Sequence, residues 1–358
     1  MKKVLFSLMI ATLLTACGEK TETLKENTKP VVKIGVMLPL SGDNAIIGKA
    51  LKGAVEVAIN DIKKENTKYN YDVIFEDSQL RPTTAISIAN KLANIDKVDA
   101  ILTYGSNIAH SISQITESNK IIQISLASSP TAAIGKYNFI NWTKPETEAI
   151  RLGEEIKKLS YKKIAIVITN HEGAYAAAKE LQEQLATIGV KSSVHTVNAG
   201  SKDMRIEIQK MMQDDIDLYV LSLYNPENQI FVRQLREAGS MADISAIESF
   251  NFYNDFTLLE GMWYVDGASS ENSDVINRIK KHNNLSNSYG IGQFYDNIMM
   301  LKSAFENSEQ KNDAINYMLN LGSYIGVVGQ IIQNNDGIFD SKAVIKKIIK
   351  GKPVVVEE

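Results

Sequence analysis

The chain has one cysteine in 358 residues, and only four histidines and seven prolines. A single thiol excludes internal disulfides, so the fold must be held by packing. The histidines, His110, His171, His195 and His282, are scattered and lack the spacing of a metal site. His171-Glu172 begins like an H-E-x-x-H zinc motif, but Tyr175 stands where the second histidine belongs. No G-x-S-x-G elbow, Walker loop or G-x-G-x-x-G turn is present. Neither sign of charge dominates: 39 basic and 42 acidic residues leave a formal net charge of −3. That balance gives no electrostatic basis for binding nucleic acid. These absences point away from catalysis, and no cofactor or metal is expected.

Long apolar runs are missing as well. The strongest covers residues 4–14 and is too short for a spanning helix, which needs roughly 20 residues. It follows Lys2 and Lys3 and ends at Leu14-Thr15-Ala16-Cys17, the order of a secretion signal. The last four residues resemble a lipobox. Residues 1–16 are therefore expected to be a signal peptide and Cys17 the lipid-bearing N-terminus. Each buried lipid CH₂ contributes about 0.8 kcal/mol, so several acyl chains anchor firmly. Residues 17–30, polar and rich in Thr, Glu and Lys, read as a flexible tether. The expected location is extracytoplasmic, on a bacterial membrane through the lipid.

What remains is a body large enough for two domains, 44% hydrophobic over the whole chain. Short apolar runs alternate with amphipathic stretches. Residues 32–38 read as a strand, and 48–62 as a helix with Leu51, Ala54, Val55, Ala58, Ile59 and Ile62 on one face. Strands follow at 71–75, 99–103 and 121–124, with helices at 83–92 and 110–118 between them. The alternation pauses near 140–145 and restarts with strands at 164–168, 193–197, 217–222 and 244–247. Helices at 174–188, 206–212 and 229–238 separate them. The C-terminal third adds 263–266, helices near 293–306 and 314–321, and segments at 326–333, 342–350 and 353–356. Two successive βαβα units imply an α/β protein with two Rossmann-like lobes. Ligands of open parallel sheets bind beyond the carboxyl ends of the strands. The loops there carry Ser, Asn, Gly and Tyr and little charge, which suits a small polar or zwitterionic ligand.

The opening KIGVMLPLSG at 33–42, followed by Gly48 and Gly53, resembles the start of the type I periplasmic binding proteins. Within them it is similar to the leucine/isoleucine/valine-binding branch that serves ABC importers. Glu76-Asp77-Ser78, the 98–102 run, the 163–167 run, 259–266 and 293–296 fit the same pattern in order. The match covers residues 31 to about 350. It implies three hinge crossings, near 143, 268 and 330. Residues 31–143 plus 269–330 would form lobe 1, and 144–268 plus 331–358 lobe 2.

The resemblance also implies ligand-binding positions. Ser41 and Ile47 fall in the first loop, over the ligand's apolar part. Ser106 and Asn107, then Ser128 and Ser129, fall where the family holds an α-carboxylate. Tyr224 matches an aromatic that closes over the ligand, and Asn170 lies where a second ammonium acceptor is often found. Glu248 matches the acid that takes the ammonium. Two departures stand out: Glu172-Gly173 replaces a usual Tyr-Gly, and Trp142 stands where arginine is expected. The implied function is an amino-acid receptor that delivers its ligand to the membrane subunits of an ABC importer. The same opening also resembles regulatory lipoproteins that activate penicillin-binding proteins; Glu248 and the Ser-rich loops favour the receptor, and no feature excludes a ligand-sensing lipoprotein.

Overall fold

Val32, Ile34, Val36 and Leu38 share one face of β1 (Val31–Leu38), and all four are fully buried. Met37, on the opposite face, enters a second apolar cluster. A strand apolar on both faces belongs at the centre of a covered parallel sheet, and β1 lies between β2 and β3. In this computed structural model the described residues are 29–253, 256–267, 273–285 and 289–357. The expected signal peptide, Cys17 and nearly all of the expected tether lie outside them.

Lobe 1 begins β1, α1 (Ala45–Ile62), β2 (Asn70–Asp77), α2 (Pro82–Lys91), β3 (Ala100–Tyr104), α3 (Ser106–Asn119), β4 (Ile122–Leu126) and β5 (Asn138–Asn141). The second unit runs α4 (Pro145–Lys158), β6 (Lys163–Thr169), α5 (Glu172–Thr187), β7 (Lys191–Val197), α6 (Arg205–Met211), β8 (Leu218–Ser222), α7 (Glu227–Glu237), β9 (Asp243–Ala246) and β10 (Trp263–Gly267). The remaining elements are α8 (Asp274–Asn283), α9 (Ile291–Glu306), α10 (Ala314–Leu319), β11 (Ser323–Gly326), β12 (Gly329–Gln333), β13 (Ile338–Asp340), β14 (Ala343–Ile349) and β15 (Lys352–Glu357).

The large sheet has the order β11-β12-β13-β5-β4-β3-β1-β2 and is parallel from β13 to β2. Lobe 2 has a parallel sheet β7-β6-β8-β9 and an antiparallel sheet β10-β14-β15, joined by a bridge between Ile247 and Val265. Separate apolar clusters cover the two faces of each lobe's parallel sheet. A fully buried aliphatic side chain contributes about 1.5–3 kcal/mol, so burial of this extent replaces the missing disulfides. The six α1 residues expected on the inner face are all buried.

Three differences from the sequence expectations have physical causes. Helix α3 starts at Ser106 and not near 110, because Gly105 (φ +97°) turns the chain directly after β3. Strand β5 and helix α4 occupy the stretch where the alternation had paused. Pro145 sits at the first position of α4, with Ala149, Leu152 and Ile156 buried behind it, a start signal with a helical stripe. The third crossing is not near 330. Strands β12 and β13 remain in the large sheet, and the chain leaves lobe 1 only after Asp340.

The first and third crossings are tied together. Thr143 and Ser341 hydroxyls lie 2.7 Å apart, the Lys144 N–H donates to Asp340 Oδ1 at 2.8 Å, and the Thr147 hydroxyl donates to Asp340 Oδ2 at 2.8 Å. Gly267 packs beside them at the end of β10. A Cβ there would lie 2.6 Å from Thr143 Oγ1, so any larger residue would displace the Thr143 hydroxyl that pairs with Ser341. The crossing expected near 268 falls outside the described residues.

Candidate binding cleft

Five strand ends meet between the lobes: those of β3 and β4 from lobe 1, and of β6, β8 and β9 from lobe 2. On the lobe 1 side, Ser106 opens α3 and is buried. Its Oγ accepts the backbone N–H groups of Ser128 at 3.2 Å and Ser129 at 3.1 Å. The Ser129 hydroxyl pairs with Thr131 at 2.8 Å. Three hydroxyls and two main-chain N–H groups thus form one cluster, whose donors would have to exchange these internal bonds for a ligand carboxylate.

On the lobe 2 side, His171 caps α5, its Nδ1 accepting from the Gly173 N–H at 3.1 Å. Burial lowers its pKa to about 4, so the ring is neutral at pH 7. It meets the Tyr224 ring edge-on, 4.9 Å between centroids. Tyr224 packs on Phe252 (5.3 Å), Phe252 on Tyr289 (5.2 Å), and Tyr289 on Trp142 (5.2 Å). An unbroken run of rings therefore crosses from lobe 2 to lobe 1.

Glu248 lies beside that run, 8% exposed, directly after β9. Trp142 Nε1 donates to its Oε1, and the Tyr289 hydroxyl donates to its Oε2 at 3.2 Å. The backbone is left-handed at this residue (φ +57°), a conformation uncommon outside glycine. Burial raises the carboxyl to about 7, and the charge of Asp266 adds to the shift. Glu148 from α4 stands beside it, 1% exposed, the two carboxyls within hydrogen-bonding reach of each other. Burial, and then the charge of Glu248, hold Glu148 well above the usual carboxylate range. Two such groups cannot both ionise cheaply in a desolvated site, so one is held protonated. Asp266 is itself paired with Lys346 at 2.7 Å, both side chains about 4% exposed.

The lobes touch at the front of the cleft. Glu172 accepts from His110 Nδ1 at 3.0 Å and from the Thr131 hydroxyl at 3.1 Å, while its N–H donates to Asn107 Oδ1 at 3.2 Å. A Cβ on Gly173 would come within 2.9 Å of Ser106 Oγ. This is a closed arrangement. Among the described residues, two of the cavities share Tyr224. One, of about 20 Å³, is lined by Ser128 from lobe 1 and by Gly173, Tyr224, Glu248 and Phe252 from lobe 2. The other, of about 270 Å³, is lined by Asn107, Tyr104, Asn170, His171 and Glu227 among others.

Residues 31–352 match the family model described as periplasmic binding protein. The chain belongs to that family. Among curated relatives it is similar to the Leu/Ile/Val-binding protein homolog 1 of Brucella melitensis, 26% identical over 218 residues, 59% of each chain. The chain thus spans about 59% of the length of the curated relatives it matches first. Among solved structures it superposes on the branched-chain amino acid transporter substrate binding protein LivJ from Streptococcus pneumoniae, solved with isoleucine. The TM-score is 0.81 at 19% identity, over 92% of this chain and 100% of that one. A solute binding protein of an ABC transporter from Rhodopseudomonas palustris, solved with 3,4-dihydroxy benzoic acid, superposes with a TM-score of 0.81. It is 18% identical, over 92% of this chain and 96% of that one. Such likenesses establish the two-lobed periplasmic binding fold.

Of the sequence-derived positions, the structure brings Ser106, Ser128, Ser129, Tyr224 and Glu248 to the inner cleft, and Asn107 and Asn170 to the larger cavity. Ser41 and Ile47 are placed elsewhere. Ser41 is exposed, its hydroxyl donating to Asp77 Oδ2 at 2.5 Å, and Ile47 packs into the lobe 1 core. Neither is among the residues lining the two cavities. Sequence reasoning missed Glu148, Tyr104, Tyr289 and Phe252. Glu148 carried a readable signal, a carboxylate in the first turn after Pro145 on the apolar side of a helix.

Proposed function

We propose that the protein is an extracytoplasmic solute receptor, anchored through lipid on Cys17. It takes a small amino acid or related zwitterion between its lobes and delivers it to the membrane subunits of an ABC importer. One observation carries this reading: Ser128 of the donor cluster and the Glu248 carboxylate line the same cavity from opposite lobes. Donors on one wall and an acid on the other match a carboxylate and an ammonium. The relatives named as Leu/Ile/Val-binding proteins support the same ligand class. A purely anionic ligand, such as the benzoate derivative in one neighbour, fits less well. A like charge about 4 Å from ionised Glu248 would cost about 4 kcal/mol at an effective dielectric of 20.

Thermal unfolding of residues 18–358, which contain every described element, against a panel of amino acids tests this. A ligand at 100 times its Kd adds about 2.7 kcal/mol. The reading predicts a selective rise in Tm that Glu248→Ala abolishes. A second reading, a regulatory lipoprotein of the same fold without a transport role, draws on the small cavity of about 20 Å³ at Glu248. Absence of any shift across the panel would favour it.

A further inference from the structure

Glu148 does not line the niche at Glu248, yet it touches the acid on which that niche depends. It stands in the first turn of α4, and both of its carboxyl oxygens are shut off from solvent. Their hydrogen-bonding neighbour is the Glu248 carboxyl. Two ionised carboxylates offer only acceptors, so a bond between them needs a proton on one of the two.

The surroundings put that proton on Glu148. Burial, then the charges of Glu248, Asp266 and Asp340, hold its carboxyl well above the usual range. Lys346 of β14 is committed to Asp266 of β10. Asp340, after β13, accepts from the Lys144 N–H and the Thr147 hydroxyl. Tyr104, Tyr224 and Tyr289 also feel the Glu248 charge, and burial keeps all three phenols neutral. The start of α4 opposes the protonation, but its partial charge is about half a unit, against a full charge in contact. Glu248 then has three donors around it: Trp142 Nε1 and the Tyr289 hydroxyl from lobe 1, and the Glu148 hydroxyl from α4. A carboxylate offers about four lone-pair sites, so about one remains for whatever enters the niche.

We propose that Glu148 is a positioning residue of the ammonium site: protonated, it donates to Glu248 and fixes it as an acceptor, so that a proton and a ligand ammonium compete for the position left over. The inference rests on the amino-acid reading above and deepens it. In the empty cleft Glu248 titrates at about 7, so near neutral pH the pair holds between one and two protons. With an ammonium seated it holds one, on Glu148, and the proton of Glu248 has passed to water. Below pH 7 each amino acid bound therefore displaces close to one proton, and affinity falls as the pH falls. The cleft binds at neutral pH and lets go in acid, with no change of fold.

Isothermal titration of residues 18–358 with the common amino acids, one at a time and in buffers of different ionisation enthalpy, tests the proposal. An amino acid whose own groups do not titrate between pH 6 and pH 8 should release close to one proton on binding at pH 6. Its affinity should fall about tenfold from pH 8 to pH 6, as a group at about 7 requires. Glu148→Met fills the space without a donor and should move the midpoint of that profile up by about one pH unit, the tenfold contributed by a hydrogen bond to a charged group. Glu148→Gln restores an N–H donor and should return the midpoint toward its original position. A packing role alone would leave the midpoint in place in both variants. Binding without proton release, which the unaltered chain reports even where a variant does not fold, overturns this inference and leaves the amino-acid reading standing. An unmoved midpoint in Glu148→Met, or no rescue by Glu148→Gln, does the same. Silence toward every amino acid removes both together.

Discussion

The indole N–H of Trp142 donates to the Glu248 carboxylate across the cleft. Trp142 closes the lobe 1 end of the first crossing, and Glu248 follows the last strand of the lobe 2 parallel sheet. With the Tyr289 hydroxyl on its other oxygen, the acid is already held by two donors from lobe 1. On the proposed function an incoming ammonium would meet a fixed carboxylate, and the tryptophan at the position where arginine was expected brings no full positive charge to that carboxylate.

Removal of the indole donor isolates this contact. Trp142→Phe should destabilise the protein by about 2–3 kcal/mol, combining a lost hydrogen bond to a charged group with some lost packing. Urea unfolding checks this. A change below about 0.5 kcal/mol would mean that Trp142 is dispensable to the acid.

The raised carboxyls make stability fall with pH. A carboxyl whose pKa rises on folding, here Glu248 from 4.5 to about 7, stabilises the fold below about pH 4.5. That contribution is lost as pH rises toward 7, because the folded state binds the extra proton. Glu148 shifts the same way. Asp61, lowered to about 2, acts at more acid pH and does not obscure the window. His171, lowered from 6.5 to about 4, works the opposite way up to about pH 6.5, while Asp296, raised to about 6, works the same way as Glu248. The ligand-free protein should therefore lose Tm between about pH 6.5 and pH 8, with a flatter profile for Glu248→Gln. Parallel profiles would place the buried proton elsewhere.

The buried pair Asp266–Lys346 separates breaking from replacing. Lys346→Met alone strands a buried charge and should cost about 3–5 kcal/mol, whereas Asp266→Leu together with Lys346→Met should be nearly neutral. Equal losses in the single and double variants would contradict this account.

Glu172 bridges the lobes at a half-open edge, with the Glu172 and His110 side chains about 40% exposed. Exposed pairs contribute about 0–1 kcal/mol. Glu172→Ala should weaken ligand binding less than about fivefold, more so at low salt, by titration at two ionic strengths. A hundredfold loss would make this contact part of the ligand site.

The framework was readable where one local rule decided it. β1 showed itself by an apolar run and α1 by its stripe, and the serine loops and Glu248 were reachable because strand ends are where side chains converge. The polar strand β5, Asn138–Asn141, was not, since its Asn138 side chain is satisfied by the tertiary partners Thr116 and Glu117, and Asn141 Nδ2 donates to Asn297. The aromatic run escaped for the same reason. Trp142, Phe252 and Tyr289 are far apart in the chain, and only the tertiary fold makes them neighbours. Ile47 shows the converse: an apolar residue in a ligand-facing loop was satisfied by the adjacent core.

The paired crossings have a mechanical consequence. Strands joined side by side through Thr143–Ser341 and Lys144–Asp340 bend readily about a common axis but resist shearing and twisting past each other. That tie favours rotation of the lobes about the common axis, like the covers of a book bound along its spine. Any surface that rests on both lobes at once then reads one angle, and through that angle the state of a cleft it never touches.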